Sequence, residues 1–409
     1  MEKAAEKLRH LLVGKDGMDK RRRRVKILLL GQAESGKSTV LKSFQLRFAP
    51  EHFHRERAQW RIIIYLNVIG SIKTVFDALG EEYEPKNDGQ AINASMRVCL
   101  SARLGLSSLE IIEANILAVL APECKDSRDM VLKSGSAWKT LLQTQQSLFS
   151  AGIDGQRLGT ENDLSSILIA QKDEIEGLWL DNETQLILSR RRPCLRQSPG
   201  FFMDDISRIL TPDYVPTDTD ILRARIRTTG IEEHDFYVKK GFDPGLDYHM
   251  IEVGGSQSQR ASWATFFNDV DAVVFLAPLL FNEFLEDDDN INRVEDSMLL
   301  WQEVCENNLL AKTRIVLFLN KVDILEATLR AGIQVNRYIA SYRDQPNDLH
   351  HVTKYFRDKF HHFHTKYSPE HRPFFCHPTS AIDVSTTKHI VDTIRDLTLR
   401  QNLRSKGYL

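Results

Sequence analysis

Residues Gly31 to Thr39, reading GQAESGKST, have the types and spacing for phosphate chemistry. Glycines let the backbone turn tightly, so that successive N–H groups point inward at phosphate oxygens. A lysine adds a mobile positive charge, and a hydroxyl offers a Mg²⁺ ligand. Lys37 is therefore assigned to the β- and γ-phosphates and Ser38 to the metal, with Glu34, Ser35, Gly36 and Thr39 completing the cradle. A second group, Asn320-Lys321-Val322-Asp323, speaks to the base. Asp323 can accept hydrogen bonds from both guanine N1–H and the exocyclic amine, a pair that adenine lacks. Asn320 would brace the loop, and the Lys321 stem would cover the ring. Alone, these four residues are as readily a turn with a satisfied aspartate; after a strand in a phosphate-loop protein they point to guanine. Thr379-Ser380-Ala381 follows the last predicted strand, where the Ala381 N–H can meet guanine O6.

These groups need a scaffold that brings distant loops together. The apolar run Val25 to Leu30 reads as a strand before the phosphate loop, and Val40 to Phe48 as the helix after it. Trp60, Ile64, Val68, Ile72, Val75 and Leu79 form one stripe of a long helix. From there to about residue 216 the pattern is helical without a convincing strand; Leu164, Leu168, Ile175 and Leu178 mark another buried face, and Gln143 to Asp163 reads as a loop. Strands are expected at Glu233–Lys239, Asp247–Val253, Ala272–Leu276, Ile315–Leu319 and Phe374–Pro378. Strands alternating with helices predict a mostly parallel sheet whose ligands sit at the strands' carboxyl ends. The expected fold class is α/β: a six-stranded phosphate-loop domain (25–58 and 217–409) interrupted by an all-helical domain (59–216). Residues 1–24 precede it as a short amphipathic helix and the basic run Lys20 to Arg24, suited to a partner or an anionic membrane surface.

At 409 residues the chain can bury more than one core, and a net charge of -2 gives nucleic acid no electrostatic attraction. Five cysteines without metal-ligand spacing fit reduced thiols. No uninterrupted apolar run reaches the length of a membrane span, and no secretory signal is legible, so a cytoplasmic protein is expected.

Together these stretches resemble an alpha subunit of a heterotrimeric G protein, over nearly the whole chain. Beyond the phosphate loop and the guanine motif, Asp220 to Gly230 resembles the first switch, Val253-Gly254-Gly255 with Trp263 and Phe267 the second, and Asn402 to Leu409 the receptor-binding tail. The resemblance implies a Ras-like GTPase domain that binds GTP or GDP with Mg²⁺ and hydrolyses GTP. It also implies partners: a βγ dimer, a G protein-coupled receptor reached through the tail, a downstream effector, and the cytoplasmic face of the plasma membrane. It makes Arg225 the built-in arginine finger of the phosphoryl-transfer template. Thr228 becomes a Mg²⁺ ligand beside Ser38, Gly255 a γ-phosphate contact, Leu222 and Arg223 nucleotide-binding residues, and Arg260–Asp296 a pair that locks the second switch.

Departures from the pattern bear on mechanism. Ser256 replaces the water-orienting glutamine and Ala33 a phosphate-loop glycine, which predicts slowed hydrolysis; the alternative is drift, with Arg225 sustaining slow turnover. Glu252 replaces an aspartate that holds Mg²⁺ through water, and Gln257 an arginine that braces the second switch against the third, around Asp287 to Arg293. Glu2 replaces the glycine that N-myristoylation requires, and Lys406 replaces a cysteine found in some relatives. The helical insertion is longer than usual, and the sequence gives no role for the extra length. The expected function is an attenuated GTPase switch. Its rivals are a GTP-loaded binding module with almost no hydrolysis and a GTPase acting without βγ and receptor.

Overall fold

A computed structural model describes residues 23–83, 109–133, 161–192, 194–237, 246–285, 288 and 290–380. The amphipathic helix over residues 2–12, Ala381, most of the predicted loop at 143–163 and the C-terminal tail lie outside the described residues.

In chain order, β1 (Arg23–Leu30) leads through the phosphate loop into α1 (Lys37–Phe48), and α2 (Arg57–Tyr83) opens the helical body. That body contains a helix at 109–120, strand β2 (Val131–Lys133), and α3 (Glu161–Ala170), α4 (Lys172–Leu180) and α5 (Asn182–Arg191). The chain returns through α6 (Asp218–Arg223), β3 (Arg227–Thr229), β4 (Ile231–Tyr237), β5 (Leu246–Val253) and α7 (Gln257–Arg260). It ends in β6 (Ala272–Pro278), α8 (Arg293–Glu306), β7 (Arg314–Asn320), α9 (Val322–Arg330), α10 (Leu349–Tyr367) and β8 (Phe375–Pro378).

The main sheet has six strands in the order β4-β5-β1-β6-β7-β8. Only β4 runs antiparallel, against β5. Helices cover both faces, so β1 is apolar on both sides: Leu28 and Leu30 enter one core, and Val25, Ile27 and Leu29 the other. The helical body has a separate core built on α2. The predicted α2 stripe is buried throughout, but Ile62, Ile63, Tyr65, Leu66 and Ile69 on its other sides are buried too. A helix enclosed on all sides is the middle of a bundle. Over Arg57–Glu82 it is long and apolar enough to cross a membrane, yet 83% of its most apolar window is buried inside the protein.

Two expectations are corrected. The helical body does contain a strand: β2 pairs in parallel with β3, joining the insertion to the segment after Arg225. Three residues are too short to show alternation, so only the tertiary pairing reveals it. The segment Leu164 to Trp179 is two helices broken at Gln171, and Leu164, Leu168, Ile175 and Leu178 all remain buried.

Candidate functional site

The carboxyl ends of β1, β5 and β7 open on a cavity of about 360 Å³. Of the residues singled out from sequence, Glu34, Gly36, Lys37, Ser38, Thr39, Leu222, Arg223, Arg225, Gly255, Ser256, Asn320, Lys321 and Asp323 line it, joined by Ala33, Glu252 and Arg260. Ser35 lies buried just behind, its carbonyl accepting from Asn320 Nδ2 at 2.7 Å. Thr228 is placed in β3, but its side chain is outside the described residues, as is all of Ala381. Phosphate-binding and base-binding loops, nearly 300 positions apart in sequence, therefore share one wall of one cleft.

The phosphate loop turns where its sequence permits. Gly31 has φ 142°, and a Cβ there would stand 2.4 Å from the Leu276 carbonyl oxygen, so β6 excludes any side chain. Gly36 has φ 102° and caps α1, whose first residues, Lys37 and Ser38, line the cavity. The Lys37 ammonium, buried, donates to the carbonyls of Gly31 at 2.9 Å and Gln32 at 2.8 Å, straddling the loop it serves. Burial lowers its pKa, although the Glu252 charge opposes the shift.

Glu252, one residue before the end of β5, accepts from Ser38 Oγ at 2.6 Å. Its other oxygen, Oε2, is buried with no hydrogen-bond partner among the described residues. Burial, with Glu232 directly across the β4–β5 pair, raises its pKa, while Lys37 and Ser38 pull the other way. A half-buried hydroxyl beside an unpaired carboxylate oxygen is a hard, anionic donor set of the kind divalent Mg²⁺ takes.

Arg225 is held at both ends. Asn67 on α2 accepts from its backbone N–H at 2.8 Å and donates to its carbonyl at 3.1 Å, while its guanidinium pairs with Glu34. Glu34 adopts φ 61°, a strained value for a non-glycine residue that aims its carboxylate at Arg225 and Arg293. Burial opposes its ionisation, but Arg225, Lys321 and Arg293 hold its pKa below the usual carboxylate value.

The second switch leaves β5 at Gly254-Gly255. The Gly255 carbonyl accepts from the Ala33 N–H at 3.0 Å, and a Cβ on Gly255 would meet the Gln32 carbonyl carbon at 2.4 Å. Only glycine allows this approach. Arg260 makes a two-pronged pair with Asp296 of α8, both bonds 2.8 Å, as the sequence pattern implied. On the base side, Lys321 takes φ 63° and Thr379 Oγ1 donates to Asn320 Oδ1 at 3.1 Å, tying the two base-side loops together.

Several contributors escaped sequence reading. Lys42 reaches from α1 to the carbonyls of Ile221 at 3.0 Å and Ala224 at 2.8 Å, and sits 4.4 Å over the Trp60 ring. Arg293 at the start of α8 donates to the Ala33 carbonyl at 3.3 Å. Gln32 donates to the Arg293 carbonyl at 2.6 Å and to Ser297. A lysine on a helix and a glutamine in a loop carry no local signal; their partners are more than 170 positions away.

Comparison with known proteins agrees with this arrangement. The family model for the G-protein alpha subunit matches residues 6–398. The chain is 28% identical to the guanine nucleotide-binding protein alpha-4 subunit of Mycosarcoma maydis, covering 96% of this chain and 85% of that one. It is 29% identical to a guanine nucleotide-binding protein subunit alpha of Candida albicans, over 94% of this chain and 90% of the other. Identity to subunit alpha-13 of Mus musculus is 27%, over 94% and 87%. With nearly its whole length matched, and with the phosphate and guanine motifs meeting in one cleft, the chain belongs to the G-protein alpha subunit family.

Proposed function

We propose that this alpha subunit is a receptor-coupled switch that binds GTP in the cleft and hydrolyses it to GDP and phosphate more slowly than its family pattern implies. The observation that carries the reading is the convergence of Lys37, Arg225, Gly255 and Asp323 on one cavity, with Ser256 where a water-orienting glutamine is expected.

In this reading Lys37 and the amides opening α1 hold the β- and γ-phosphates, and Asp323 reads the base. Arg225 must exchange Glu34 for the phosphoryl oxygens, whose growing negative charge attracts the guanidinium. Hydrolysis therefore begins with one ion pair broken. The Gly255 N–H meets the γ-phosphate, and the Arg260–Asp296 pair then holds α7 against α8. Ser38 and Glu252 would hold Mg²⁺, with Thr228 from the first switch; when bound, the ion neutralises phosphate charge. The proposed partners are a βγ dimer, a receptor met by the C-terminal tail and an effector, at the cytoplasmic membrane surface without N-myristoylation.

The test is single-turnover release of phosphate from GTP by the purified full chain. A slow, measurable release supports the reading. No release over hours, with GTP retained, supports a GTP-loaded binding module, which Ser256 and the Glu34-bound Arg225 also favour. Failure of the GDP-bound protein to co-purify with βγ supports a GTPase acting outside the heterotrimer.

A further inference from the structure

A glutamine is absent at position 256, but another reaches the same place from one turn further on. The backbone N–H of Gln259 donates to the Ser256 carbonyl at 3.0 Å, closing the first turn of α7. Its side chain folds back over the switch: a Cβ added to Gly254 would stand 2.0 Å from Gln259 Oε1 and 2.4 Å from Cδ. The carboxamide thus fills the space above Gly254 that any side chain would close. Ser256 Oγ donates to Gln259 Oε1 at 2.9 Å, fixing the position of the amide. Gln259 borders the cavity together with Ala33, Lys37, Arg225 and Gly255.

We propose that Gln259, steadied by Ser256, is the residue that orients the attacking water in this chain. The inference rests on the GTPase reading above. A carboxamide oxygen has two lone pairs and its nitrogen two hydrogens. Ser256 takes one lone pair, which leaves the second to accept from water, while Nε2–H donates to a γ-phosphoryl oxygen only as charge builds there in the transition state. The water oxygen forms the new bond to the γ-phosphorus as the bond to the β–γ bridging oxygen breaks. That electron pair stays on GDP, and the water's proton leaves with the phosphate. The carboxamide takes no proton; it sets direction. Ser256, too short to reach both groups, instead holds the longer side chain in place.

Single-turnover hydrolysis by the full-length protein tests this, with affinity for a non-hydrolysable GTP analogue and the tryptophan fluorescence response to GDP plus aluminium fluoride read on the same samples. Gln259→Ala should slow phosphate release about tenfold or more and abolish the aluminium fluoride response. Analogue affinity should stay within about twofold, because the analogue needs no oriented water. Adding Ser256→Gln to Gln259→Ala should restore release, since one longer side chain then does the work of two. Release unchanged in Gln259→Ala, loss of analogue binding along with it, or no recovery in the double variant would each overturn the assignment while the GTPase reading stands. A wild-type protein that binds GTP but releases no phosphate overturns both.

Discussion

Arg225 and Ser256 line the same cavity, and the proposed chemistry turns on how each is held. Arg225→Cys is expected to slow single-turnover hydrolysis by about 10-fold to 1,000-fold, less than the largest arginine-finger effects because the turnover proposed above is already slow; unaltered release would remove Arg225 from the mechanism. Ser256→Gln combined with Ala33→Gly should raise the rate about tenfold or more by moving the water contact from Gln259 to position 256, where the family pattern puts it, and clearing the Ala33 methyl from the cavity edge. An unchanged rate would show that these two positions do not limit turnover. At this scale the sequence was most legible where one residue type has one use: Lys37, Asn320 and Asp323 could be named from their neighbours. Lys42, Asn67 and Arg293 could not. Each acts through a backbone carbonyl or amide whose position depends on the completed fold.

Among the elements, α6 is fastened by a capping box and a side-chain network. Thr217 and Asp220 form a reciprocal capping box, and buried Asp220 also accepts from Arg208 at 2.7 and 2.8 Å and from Tyr214 at 2.9 Å. Burial opposes its ionisation, yet the bonds from Arg208, Thr217 and Tyr214 hold its pKa below the usual value. Asp220→Ala should cost about 2–4 kcal/mol in urea unfolding, since it strands a tyrosine and part of a guanidinium; a loss below about 1 kcal/mol would show the network to be incidental. On α10, His364 is buried against Trp301, its ring stacked with centroids 6.0 Å apart. Burial foremost, then Arg372, His361 and His371, lowers its pKa from 6.5 to about 4. The unfolded chain therefore takes the proton first, so stability is whole above about pH 6.5 and falls as pH drops toward about 4. Urea titrations at pH 7 and pH 5 should show that decline, and His364→Phe should flatten it. Strands β1, β6 and β7 were legible because their apolar runs stand between turns and helices. The break at Gln171 was not, because the buried spacing continues across it.

For the whole molecule, the shift from helical segments to short β-rich runs was legible, and the cleft is lined from the helical insertion by Val131 and Gln197 as well as from the sheet side by Lys37 and Asn320. What joins the bodies was not legible, since it is made of single side chains and three-residue strands. Saturation with a non-hydrolysable GTP analogue at about a thousand times its Kd should stabilise the protein by about 4 kcal/mol, seen as a higher melting temperature. An equal rise from an ATP analogue at the same molar concentration would sink guanine recognition by Asp323. The β2–β3 ribbon has a further consequence. It fastens the helical body to residues 227–229, two positions beyond Arg225, and Met130 accepts from the Arg227 N–H at 3.2 Å just before the pairing begins. Swinging the helical body outward must either unzip that ribbon or drag the first switch along. Whatever shifts the helical body therefore also shifts the backbone that carries Arg225, so the two bodies cannot part without moving that guanidinium.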